Sequence, residues 1–236
     1  MEKSKTCQPG PEMRFTSFLF ARLNPAFKNL LSNEKITLKQ ELENLIAARQ
    51  DQLFLRTYSL SGLRAEYDVL FWLVACDVDT VQRVWGQIST TGVGRHLELV
   101  KSFVGIYHLP EHVSKKDQDS GSCVPRHLFG KYKYMLLHPL VRSHTWYEIS
   151  EGERQKFLGE RQEVLAKYSS VIEHTFCSCG LDDQEHIVVR ESSSLEELAM
   201  ASRELREQRI KMFTQQDTPY LFCVGRDLRD ILDSIG

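Results

Sequence analysis

The chain predicts an α+β fold built from two β-α-β-β-α-β units, and three observations carry that prediction. Runs rich in aromatic and aliphatic residues alternate with stretches whose apolar positions fall at helical spacing. The same order of runs recurs after a polar break in the middle of the sequence. Turn-forming residues separate the second and third strands of each set. At 236 residues, 42% of them hydrophobic, the chain is long enough to bury a sizeable core.

Taken in order, residues 1–13 form a polar N-terminal tail, and RFTSFLFAR (14–22) reads as the first strand. Apolar residues at helical spacing predict a helix from about Ser32 to Ala48. QLFLRTYSLSG and AEYDVLFWLVA are strands, with SGLRAE as the turn between them. A helix near 78–90 has Asp77 or Asp79 as candidate cap, and TTGVGRH leads from it into the strand LVKSFVGIYHL. These elements make a first unit over 14–109. Residues 110–125, PEHVSKKDQDSGSCVP, are polar and broken by Pro, Gly and Ser, which marks a linker loop.

The second unit, 126–236, repeats the order. It has a strand at KYKYMLLHPLV, a helix from about Ser150 to Tyr168, strands SVIEHTFCSC and HIVVRES joined by GLDDQE, a helix from about Ser194, and a strand at PYLFCVG. Each unit has the ferredoxin-like order. Two antiparallel sheets of this kind can pack into one α+β barrel.

Charge removes some function classes. Thirty basic against thirty-two acidic residues give a net charge of -2, and without a dense Lys/Arg run there is no electrostatic footprint for nucleic acid. No apolar run approaches the roughly 20 residues that span a bilayer, so no membrane partner and a cytoplasmic location are expected. Six scattered cysteines (Cys7, Cys76, Cys123, Cys177, Cys179, Cys223) in a chain of this size fit a reducing compartment. The glycines of TTGVGRH match neither a phosphate loop nor a dinucleotide fingerprint.

Chemistry concentrates in the second unit. Residue 161 falls on the helical stripe of Phe157, Leu158, Val164, Leu165 and Tyr168 and so faces inward, yet it is an arginine. A buried guanidinium needs an anionic neighbour: an inward carboxylate, water reached by snorkelling, or an anionic ligand. On the next strand, alternation places Glu173, Thr175, Cys177 and Cys179 on one face and His174 and Phe176 on the other. Cys177 and Cys179, with Cys223, suit a thiolate metal site, a redox pair or core packing. His138, Glu173 and His186 could make a two-histidine, one-carboxylate centre.

The strings FTSFLF, LRTYSLSGLRAEYDVLFW, TGVGRHL, HPLVRSHTWY, ERQKFLGE, GLDDQEHIVV and QQDTPYLFC, in this order, resemble the chlorite dismutase family over about Phe15 to Cys223. The most similar branch is the HemQ-like one of the coproheme decarboxylases. The resemblance implies a dimeric α+β barrel, a homopentameric ring, and haem or coproheme held in the C-terminal half.

Four positions depart from the pattern. Where the family has a haem-ligating histidine, this chain has Arg161, whose guanidinium offers iron no lone pair. Glu173 falls where the family has a distal arginine, glutamine or apolar residue. His138-Pro139 replaces the family's Tyr-Pro, with Arg142 in place of a propionate-contacting lysine. Lys211-Met212-Phe213 replaces Ser-Arg-Tyr, and one propionate clamp is lost.

The expectation is therefore a homo-oligomeric member with a rewritten, charged cavity. Arg161 and Glu173 would be its opposite walls, and His138, Arg142 and Lys211 its mouth. It would bind another small molecule or a tetrapyrrole, or be non-catalytic. Two alternatives stand beside it. One is a haem or coproheme oxidoreductase of peroxidase or decarboxylase type, ligated by His138 or His174. The other is a non-haem metal or thiol-redox protein using Cys177, Cys179, Glu173 and a histidine such as His174.

Overall fold

Successive side chains of a strand point to opposite faces of its sheet, and the strands Met13–Leu23, Val69–Ala75 and His186–Ser192 bury nearly all of both. The computed structural model describes residues 13–108 and 128–236. Nearly all of the N-terminal tail and the whole of the 110–125 linker therefore lie outside the described residues.

The first unit runs β1 (Met13–Leu23), α1 (Ser32–Ala47), β2 (Phe54–Ser59), β3 (Val69–Ala75), α2 (Val78–Thr90) and β4 (Leu97–His108). The second runs β5 (Tyr134–Arg142), α3 (Thr145–Glu148), α4 (Glu151–Ala166), β6 (Val171–Cys177), β7 (His186–Ser192), α5 (Leu195–Glu207), β8 (Thr214–Gln216), β9 (Leu221–Gly225) and α6 (Leu228–Ile235). The expected order holds in both units. The short α3 and β8 and the C-terminal α6 are additions to it.

All strand pairs are antiparallel. The first unit orders its strands β4-β1-β3-β2, and the second, in the equivalent arrangement, β6-β7-β5-β9. Two seams join them, β2 to β9 and β4 to β6, so eight strands close into a ring and β8 extends the end of β5. The β4–β6 seam is a single residue pair, Ile106 with Cys177. Side chains of the following turn reinforce it: Ser178 Oγ donates to the Val104 carbonyl at 2.6 Å and Asp182 Oδ2 accepts from the Val104 N–H at 3.1 Å. At Gly105 an added Cβ would lie 3.0 Å from Phe176 Cβ and 3.2 Å from the Cys177 carbonyl, so a larger residue there would push the seam apart by a few tenths of an ångström.

Closing the ring creates two kinds of surface. The interior is a largely aromatic cluster that includes Phe18, Phe20, Phe54, Trp72, Phe103 and Phe176. Trp72 is fully buried, and its indole N–H is satisfied by Thr16 Oγ1 at 2.9 Å. Outside the first unit, the alternate residues Leu19, Ala21, Phe71 and Leu73 pack under the helices with Val84, Ile88, Ile231 and Leu232. The corresponding outer face of the second unit is different. Its apolar cluster under the helices centres on Trp146, Phe157 and Ile210, while its buried polar side chains include His138 of β5 and Arg190 of β7.

Local chemistry fixes the helix starts. Asp77 is the cap of α2, accepting from the Thr80 N–H at 2.6 Å, and Ser150 with Glu153 forms a capping box on α4. One cysteine expectation changes. Cys76 is disulfide-bonded, so the argument for a reducing compartment loses that residue. No helix of the described residues is long and apolar enough to cross a membrane.

Removing the α2 cap leaves an orphan N–H, and Asp77→Ala is expected to lower unfolding stability by about 1 kcal/mol. Urea denaturation should show an earlier midpoint at unchanged slope.

Candidate functional site

The outer face of the second sheet is built by parity. On β7, Ile187 and Val189 turn into the barrel, which sends His186, Val188 and Arg190 toward α4 and α5. On β6, His174 and Phe176 turn inward, and Glu173 faces the helices. Glu173 is thereby brought between two arginines. Arg161 from α4 grips it through both oxygens, Nε to Oε1 at 3.1 Å and Nη2 to Oε2 at 2.5 Å, and Arg190 Nε donates to Oε2 at 2.7 Å. All three side chains are at least four-fifths buried.

From Arg190 the polar contacts continue. Its Nη1 donates to Ser202 Oγ at 3.4 Å, and its Nη2 to His138 Nε2, also at 3.4 Å. Because Nε2 accepts, Nδ1 carries the proton, which it directs to the Pro139 carbonyl at 3.1 Å. The His138 ring stacks on Tyr220 with centroids 4.5 Å apart. Tyr220 donates its hydroxyl proton to Asp217 at 2.6 Å, and Lys211 pairs with the same carboxylate. One chain of contacts thus runs from Arg161 to Lys211.

The electrostatics follow from burial and these partners. Burial pushes Glu173 up, but Arg161 and Arg190 outweigh it and hold the carboxyl below its usual range. Burial, reinforced by the Arg190 charge, lowers His138 to about 3, so the ring is neutral. Burial and the bond to Asp217 push Tyr220 up to about 12. Arg142 falls to about 10 through burial and the neighbouring Arg161.

Two small spaces remain. One, of about 30 Å³, lies among His138, Arg190, Arg206, Lys211 and Tyr220. The other, about 200 Å³, lies among Leu140, Trp146, Leu158, His186 and Val188. Arg142 and Arg161 border both.

Several expectations need correction. Arg161 and Glu173 touch and are not opposite walls, because nothing separates α4 from β6 at this level. His138 is 4% exposed and belongs to the floor, not the mouth; Arg142 and Lys211 do line the space. His174 points into the barrel, ringed by Trp72, Tyr107, Phe129 and Phe176, with Nε2 3.5 Å from Glu191 Oε1. Cys177 and Cys179 interact with each other at the end of β6, whereas Cys223 is inside the barrel. His174 and the two cysteines do not converge, and the described residues contain no group of three His, Cys, Asp or Glu side chains placed to hold a metal ion. Sequence reading missed Arg190, Asp217 and Tyr220. Counting β7 outward from the apolar Ile187 and Val189 would have found the first.

Glu173→Gln leaves two buried guanidiniums without their carboxylate, an expected loss of about 3–5 kcal/mol, whereas Arg161→Gln leaves the Glu173–Arg190 pair and costs less. Urea unfolding of both variants measures the difference. His138 gives a second expectation. It stays neutral in the fold down to about pH 3, whereas an unfolded histidine takes its proton near pH ~6.5. The unfolded chain therefore binds the extra proton in between, and stability falls as pH is lowered from about 6.5. His186, also lowered by burial, acts in the same direction. His138→Gln should flatten, without abolishing, the stability slope between about pH 6.5 and 5, where most carboxylates are still ionised.

Comparison with known proteins places this geometry. The chlorite dismutase family model matches residues 35–226. A coproheme decarboxylase of Mycolicibacterium smegmatis is 30% identical over 166 residues, 69% of this chain and 69% of that protein. One of Staphylococcus carnosus is 23% identical over 177 residues, 68% of this chain and 70% of that protein. The structure of chlorite dismutase from Candidatus Nitrospira defluvii in complex with imidazole superposes with a TM-score of 0.81 at 19% identity, covering 94% of each chain.

Proposed function

The chain belongs to the chlorite dismutase family, and from that premise we propose that it is a member whose C-terminal site does not ligate haem from α4 and instead receives a smaller, anionic ligand. The observation that carries this reading is the bidentate Arg161–Glu173 bridge. Residue 161 is where the resemblance places the ligating histidine. A guanidinium has no lone pair for iron, and here it is also committed to a carboxylate on the facing strand. The bridge ties helix to sheet across the layer where a flat macrocycle would have to lie.

The residues present do not fit haem in other ways. His138 has both ring nitrogens engaged and is stacked on Tyr220, and His174 faces the other side of the sheet. No step of haem chemistry is therefore assigned to this site. What the site offers is charge: Arg142, Arg161, Arg190, Arg206 and Lys211 border it against Glu173 and Asp217. That excess of cations supports an anion as the ligand. A homo-oligomeric assembly, pentameric by the resemblance, and a cytoplasmic setting are part of the same proposal.

Titrating the purified protein with haem and with coproheme tests it. The expected result is no sharp one-to-one shift of the Soret band with either. A tight stoichiometric complex, lost in His138→Ala or His174→Ala, would overturn the reading.

A further inference from the structure

The larger of the two spaces in the second unit has an electrostatic debt on its wall. Arg142 is mostly buried, and its guanidinium lies over the Trp146 ring at 4.6 Å. Among the described residues no carboxylate reaches it within ion-pair distance. Glu185, whose charge acts on Arg142 from outside ion-pair distance, accepts from the Arg142 backbone N–H at 2.9 Å and is also bonded to Tyr147. The other guanidinium on the wall, Arg161, is bonded to Glu173, a carboxylate that it shares with Arg190. Arg142 is therefore left facing this space with no ion-pair partner of its own among the described residues, and a partly buried charge of that kind is costly without an anion.

A second, independent group points the same way. His186 borders the space, and its Nδ1 is buried with no hydrogen-bond partner. A buried ring nitrogen left unbonded carries a penalty of about 1–3 kcal/mol. The remaining wall is apolar: Leu140, Trp146, Leu158 and Val188. The volume, about 200 Å³, is below the roughly 300 Å³ at which ordinary small-molecule sites begin.

We propose that this space binds a small monocarboxylic acid with an apolar body, the size of benzoate or less. Arg142 pairs with the carboxylate, and His186 Nδ1–H donates to it. Trp146 and the aliphatic residues enclose the ring or chain. The apolar walls select a hydrophobic acid, with one carboxylate for Arg142, over acetate and over the strongly hydrated phosphate. The inference rests on the reading of the site as free of haem and names the ligand class for it.

Calorimetry with benzoate, benzamide, acetate and inorganic phosphate tests it, with Trp146 fluorescence as a second signal. Benzoate is expected to bind one to one, and benzamide, acetate and phosphate at least tenfold more weakly. Arg142→Gln should weaken benzoate at least tenfold. Leu158→Trp, which fills the space and leaves the charges in place, should abolish benzoate binding while the protein still melts cooperatively. Benzamide binding as tightly as benzoate, benzoate binding indifferent to either substitution, or no benzoate binding by a protein that also takes up no haem would each overturn this inference alone. A stoichiometric haem complex would instead overturn the reading beneath it.

Discussion

Closure of eight antiparallel strands into one ring is the constraint from which the rest of the molecule follows. A closed sheet has no spare edge among its ring strands, so each residue is assigned to the interior or to the helix layer by parity alone. Interior positions are mainly aromatic and aliphatic and fitted to one another, with Trp72 stacked on Phe18 and edge-on to Phe176; His174 beside Glu191 is the polar exception. Outer positions answer to whatever the helices bring. A one-residue slip on β6 would move Glu173 into the aromatic interior and His174 out beneath α4, exchanging the chemistry of the two compartments.

The two units act as controls for each other. They share strand order and helix placement, yet the first fills the gap between helices and sheet with Leu, Val, Ile and Phe, and the second sets three arginines, a glutamate and two histidines beside a smaller apolar cluster. Nothing in the architecture asks for those charges. Polar groups placed where the same scaffold elsewhere uses hydrocarbon cost stability unless every one is paired, and most of them here are. Arg142 and His186 are the two that are not fully paired, and they border the same space.

Much of this was legible in the sequence. The strands and principal helices were, because their apolar periods are long and are bounded by turn residues. Asp77 and Asp79 could not be told apart as caps by residue type; the extended backbone at Asp77 decides it. The inward direction of residue 161 and the facing of Glu173 followed from helical and strand periodicity. Their contact did not, since it depends on how closely α4 lies on the sheet, which is a packing outcome. Arg190 escaped because the apolar run Ile187-Val188-Val189 conceals the alternation of β7. The C-terminal α6 is only eight residues long, although Leu228, Ile231, Leu232 and Ile235 keep strict helical spacing. The single-pair seam between β4 and β6 has no local signature at all.

The arginine–glutamate–arginine cluster is lopsided in a way that bears on how such a site can change over time. Exchanging Arg161 leaves Glu173 and Arg190 as a balanced pair, so the helix position can drift, even toward histidine, with little harm to the fold. Exchanging Glu173 first strands two cations in the interior. The helix residue is therefore the more replaceable member of the cluster, and the strand carboxylate is the latch on which both arginines close.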